Sequence, residues 1–104
     1  MFLRTTIVLA ALLFCGTTAL ADEIIARNLI ISQGCKGCHA LEGSGGNLGP
    51  ELDKVGSRLT QVQIREKLLE PKTTNPDSLM PDFKHLTEEQ LNALLDFLSQ
   101  LKKK

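Results

Sequence analysis

The chain has no tryptophan and no tyrosine, and four phenylalanines are the whole of its aromatic content. Indole N–H and phenol O–H donors are therefore missing, and no ring except imidazole can make a conventional hydrogen bond. An excess of positive charge is missing too, since 12 lysines and arginines face 12 aspartates and glutamates. A nucleic-acid binder wants a basic face, and this balance argues against one. There is no apolar run long enough for a permanent membrane span. Ile7 to Phe14 is almost wholly apolar, but a helix needs about 20 apolar residues to cross a bilayer. Cysteine and histidine are scarce, with three and two copies in 104 residues.

What is present at the start has the layout of a secretory leader over residues 1–21. Arg4 supplies the positive end, Ile7 to Phe14 the apolar stretch, and Ala19-Leu20-Ala21 the small residues of a cleavage point. An uncleaved leader acting as a membrane anchor is the alternative. Cys15 follows bulky Phe14, a poor neighbour for a lipid-modified cysteine, and is read as part of the leader. The mature domain, residues 22–104, keeps about 83 residues, near the size at which a polypeptide core alone is marginal. With Arg4 removed it carries one more acid than base.

The most informative stretch is Cys35-Lys36-Gly37-Cys38-His39. Two thiols and an imidazole at C-x-x-C-H spacing are what covalent attachment of a c-type haem requires. Three other readings compete. A structural zinc site takes four ligands, and outside this pentapeptide only Cys15 and His85 are available. A thioredoxin-like dithiol expects a neighbouring β-α-β pattern, which the sequence does not offer. A plain disulfide between Cys35 and Cys38 leaves His39 without a role. Export suits the haem reading, because unattended thiols oxidise outside the cytoplasm.

Asp22 to Ser32 reads as a helix whose apolar Ile24, Ile25, Leu29, Ile30 and Ile31 suit packing on two sides. Gly34 would end it in a left-handed conformation. Glu42 to Pro50, with Gly43, Gly45, Gly46 and Gly49, reads as a loop. Thr60-Gln61-Val62-Gln63 has capping-box spacing and opens a short helix closed by Pro71. Thr87-Glu88-Glu89-Gln90 repeats that spacing. Leu91, Leu94, Leu95, Leu98 and Leu101 then recur on one face of a helix with acids early and lysines late.

Between these two helices, Lys72 to Lys84 carries Pro76 and Pro81 and almost nothing expected to pack. Met80 is the only methionine of the mature chain. Its thioether is a soft donor able to complete six-coordination of haem iron opposite a histidine. The plain alternative is an adaptable core filler.

Together these landmarks resemble the small class I c-type cytochromes over essentially the whole mature chain, from about Ile24 to Lys102. The likeness rests on Cys35-Lys36-Gly37-Cys38-His39 after a helix, Gly49-Pro50, Ser78-Leu79-Met80-Pro81, and a closing helix from Leu86-Thr87-Glu88-Glu89. The resemblance implies an all-α fold in which three or more helices and their loops enclose one covalently attached haem c. It implies thioether bonds from Cys35 and Cys38, a proximal iron bond from His39 and a distal one from Met80. The Pro50 carbonyl would accept the other ring N–H of His39, fixing its tautomer. Arg58 falls where related sequences often place a propionate contact, although a solvated surface arginine fits it equally. The first and last helices would cross at Ala26 and Phe97. Relatives commonly bond a propionate through an indole or phenol, which Phe83 and Phe97 cannot replace. His85, five residues past Met80, is read as an exposed histidine ahead of the last helix, with distal ligation as its alternative.

With both axial positions filled by protein, the implied work is electron transfer in the periplasm, by a monomer whose redox partners dock transiently. It would not be an enzyme, would bind no nucleic acid and would not insert stably in a membrane once trimmed. Electrons would pass at the haem edge near Cys35 to Cys38, where Lys36 could steer acidic partners. Two alternatives remain: a gas or ligand binder with a displaceable Met80, and the haem subunit of a larger redox complex.

Overall fold

The computed structural model describes residues 15–102, with side chains from Ala19 onward at the amino-terminal end. Most of the expected leader, residues 1–14, lies outside the described residues, as do Lys103 and Lys104. The described elements are helix α1 (Cys15–Ser32), a 3₁₀ turn (Cys35–Gly37), strands β1 (Ala40–Leu41) and β2 (Ser44–Gly45), and helices α2 (Val55–Arg58), α3 (Gln61–Leu69), α4 (Pro71–Thr74) and α5 (Glu88–Ser99). The fold is all-α, with one minimal antiparallel ladder pairing Ala40 with Gly45 and Leu41 with Ser44. The hairpin's turn and second strand fall inside the stretch from Glu42 to Pro50 that was expected to be loop, and its first strand just before it. Its two turn residues, Glu42 and Gly43, both have positive φ, as tight hairpins with the right twist require.

α1 and α5 cross and carry most of the core. Ala26 is 0% exposed at the crossing, and Leu29 and Ile30 from α1 meet Leu91, Leu94, Leu95 and Leu98 from α5. Phe97 packs on the same cluster, with the Arg27 guanidinium carbon 5.0 Å from its ring centre. Arg27 also pairs with Glu23 at 3.0 Å and Glu42 at 2.7 Å, tying the first helix to the hairpin. Two expectations for α1 need correction. The helix passes through Ala21-Asp22 without a break, since alanine and leucine favour helix and nothing there stops it. It also packs on one side only, because Ile24 and Ile31 are exposed.

Both capping boxes form. Thr60 Oγ1 accepts from Gln63 N at 3.2 Å while Thr60 N donates to Gln63 Oε1 at 2.9 Å. At Thr87 the matching distances are 3.1 and 3.0 Å. Pro71 does more than close α3: it occupies the first turn of α4, where its missing N–H costs nothing. The segment from Lys72 to Lys84 also packs better than expected, for Phe83 is 5% exposed and its N–H donates to the Leu68 carbonyl at 2.8 Å. The late lysines fall outside α5, which ends at Ser99, so they do not sit in its last turn. A second close crossing was not expected. Gly56 of α2 donates to the Leu101 carbonyl at 2.8 Å, and a β-carbon on Gly56 would overlap the Ser99 carbonyl.

Candidate functional site

The C-x-x-C-H segment begins where α1 stops. Gln33 N still donates to the Leu29 carbonyl at 2.8 Å, then Gly34 takes φ 75° and turns the chain out of the helix. Glycine occupies this left-handed position without the usual steric penalty. The 3₁₀ turn follows at once, with Cys38 N and His39 N both donating to the Cys35 carbonyl at 3.2 and 3.0 Å. Side chains three apart eclipse in 3₁₀ geometry, so Cys35 and Cys38 stand on one side of the turn. Both thiols are free. Cys38 is exposed, whereas Cys35 is half-buried, and burial pushes its thiol pKa up.

A strap formed by residues 44–50 lies across this turn and holds it by its backbone. Gly46 N donates to the Lys36 carbonyl at 2.9 Å and Gly49 N to the Cys38 carbonyl at 2.8 Å. His39 Nδ1 donates to the Pro50 carbonyl at 2.7 Å. A carbonyl only accepts, so the ring proton lies on Nδ1 and the lone pair on Nε2 is left for another partner. Gly49 makes this approach possible. A β-carbon there would overlap His39 Cε1 and fall 2.7 Å from Nδ1. Further back, Glu42 N donates to Asp53 Oδ1 at 2.8 Å, which braces the hairpin turn behind the strap.

The other expected residues lie on neighbouring segments. Arg58 is exposed and donates from Nη2 to the Glu51 carbonyl at 2.7 Å, next in the chain to the Pro50 acceptor. Met80 is partly buried against the core, its N–H donating to Ser78 Oγ at 3.2 Å. His85 is exposed and its Nε2 donates to Gln33 Oε1 at 2.7 Å. The residues that sequence reasoning missed are Gly49 as the spacer under His39, and Gln33 and Asp53 as anchors. Gly49 was visible only as part of a landmark, because a glycine does not announce what it makes room for.

This donor set suits a covalently held haem: two reduced thiols on one side of a turn, an imidazole with its outer nitrogen free, and a thioether on the core. Leu48 and Leu79, 78% and 90% exposed, add apolar surface to the segments bearing Pro50 and Met80. Among the described residues no three His, Cys, Asp or Glu side chains gather as a bare metal site would require.

No solved structure matches the chain. Over an alignment 94 positions long that covers 83% of the chain, it is 31% identical to cytochrome c oxidase subunit 2 of Alkalihalophilus pseudofirmus. It covers 27% of that protein, so the chain spans about a quarter of this relative's length. The family model for cytochrome c matches residues 26–102, from the buried alanine of α1 to the lysine beyond α5. The chain therefore belongs to the cytochrome c family, as a class I c-type cytochrome carrying one covalently attached haem c.

Proposed function

We propose that this protein is an electron carrier of the periplasm, tethering its haem through Cys35 and Cys38 and gripping the iron with His39 and Met80. The observation that carries this reading is the 2.7 Å bond from His39 Nδ1 to the Pro50 carbonyl, which leaves Nε2 free on the residue that follows Cys38. When bound, the haem supplies an iron that cycles between ferric and ferrous states. The chain's own residues do the rest. Cys35 and Cys38 would fix the haem's position, Gly49 and Pro50 set the plane and tautomer of His39, and Met80 would offer the iron a neutral sulfur. Methionine opposite histidine favours the ferrous state and raises the potential relative to two nitrogen ligands. Arg58 is a candidate contact for a propionate.

An exported or membrane-associated location is usual for cytochrome c domains, and the leader-like residues 1–21 support the periplasm. No helix among the described residues is long and apolar enough to cross a membrane. Partners would dock transiently at the haem edge beside Lys36, in small, salt-sensitive encounters.

The test is an optical spectrum of the protein matured in a host that attaches c-type haem. A pyridine haemochrome of the thioether type is expected. Met80→Ala should abolish the weak methionine-to-iron charge-transfer absorption and His85→Ala should leave it intact. The opposite pattern would overturn the ligand assignment. The likeness to an oxidase subunit favours a second reading, a haem domain fixed in a larger redox complex. Native purification separates the two: a monomeric haem protein supports the carrier, and a stable multisubunit species supports the complex.

A further inference from the structure

We infer that Gln33 and His85 form a latch that keeps the methionine loop closed, making both of them positioning residues for Met80. This inference rests on Met80 being the distal ligand.

The two halves of the loop are held very differently. Before Met80 one side-chain bond, from Lys67 Nζ to Thr74 Oγ1, ties the start of the loop to α3, and from Asn75 on the bonds are local: Ser78 N donates to the Asn75 carbonyl at 3.0 Å, Asp77 N to Asn75 Oδ1 at 3.2 Å, and Met80 N to Ser78 Oγ at 3.2 Å. Leu79 in this half is 90% exposed. After Met80 the chain is pinned to other elements. Phe83 N donates to the Leu68 carbonyl at 2.8 Å, and Lys84 Nζ pairs with Glu70 Oε1 at 3.1 Å. His85 Nε2 donates to Gln33 Oε1 at 2.7 Å.

The first two pins reach α3 and the residue after it. The third reaches the end of α1, two residues before Cys35, and so joins the methionine loop to the base of the attachment turn. Its receiving end is firm, because Gln33 keeps a helical bond to the Leu29 carbonyl. Its donating end is also confined, with the His85 ring 6.1 Å from the buried ring of Phe83. Segments held by few contacts open locally at small cost, and a root pinned to the body leaves a shorter stretch free to swing. Loss of the latch should therefore favour opening of the loop without changing the methionine itself. The same bond turns His85 Nε2 toward Gln33 and occupies it there, away from service as a rival ligand.

The experiment uses the oxidised, haem-loaded protein with added imidazole, following loss of the methionine-to-iron charge-transfer absorption. Gln33→Ala and His85→Ala should each speed replacement of Met80 by roughly two- to tenfold, the span that loss of one hydrogen bond covers. The double variant should be no faster than the faster single, as expected of two ends of one contact. His85→Gln, whose amide can donate to Gln33, should recover part of the slow rate. Arg65→Ala breaks the exposed pair with Glu88 elsewhere on the surface and should exchange at the unmutated rate.

Unchanged exchange in both single variants overturns the latch, even where thermal stability falls, and so does a double variant whose effects multiply. If the unmutated protein lacks the absorption, the Met80 assignment fails and takes the latch with it. If the absorption is present and exchange does not respond, the latch alone fails.

Discussion

At Gly49 a single absent methyl group decides where His39 can lie. Gly49→Ala would push the His39 ring or the strap aside, and overpacking of this kind costs about 1–3 kcal/mol. Denaturant unfolding of the haem-loaded protein should show that loss, together with an altered optical or magnetic signature of the histidine–iron bond. Cys35, Cys38 and His39 were legible in the sequence because attachment chemistry dictates both residue type and spacing. The spacer role of Gly49 and the anchoring by Gln33 and Asp53 were not, because they work through approach distances and backbone bonds that no residue type encodes. Arg58 had two readings, and its bond to the Glu51 carbonyl shows only that the guanidinium is fixed on the strap side of α2.

Helix ends were legible wherever a side chain caps them. Thr60 and Thr87 were recognisable because a hydroxyl three residues before a glutamine satisfies two orphan N–H groups at once. Thr60→Ala and Thr87→Ala should each cost about 1 kcal/mol, read as a lowered unfolding midpoint. Thr87→Ala should be the more damaging, since α5 supplies Leu91, Leu94, Leu95 and Leu98 to the core. Ala26→Leu would force extra volume into the crossing of α1 and α5 and should cost about 1–3 kcal/mol on the same measurement. One-turn helices were not legible. α2 is held by the bond from Gly56 to Leu101, and α4 by Pro71 at its first turn, and neither shows as periodicity. Phe83 was overlooked for a related reason: one aromatic among prolines and charges makes no pattern, although it packs into the core.

Across the whole molecule, stability depends on apolar contact, for no polar side chain is buried among the described residues. A domain this small has little core to spare. The double variant Cys35→Ser with Cys38→Ser, which cannot tether haem, should lose the cooperative thermal transition in far-ultraviolet circular dichroism. Retention of that transition would show that the protein core suffices alone. Peptidases cut extended backbone, and the bond between Ala21 and Asp22 lies inside α1, its carbonyls and amides committed to helical partners. Were residues 1–21 trimmed as a leader, the cut would be a race between scissors and coil: it would have to come while the thread was still slack, and a molecule that wound up first would keep those residues.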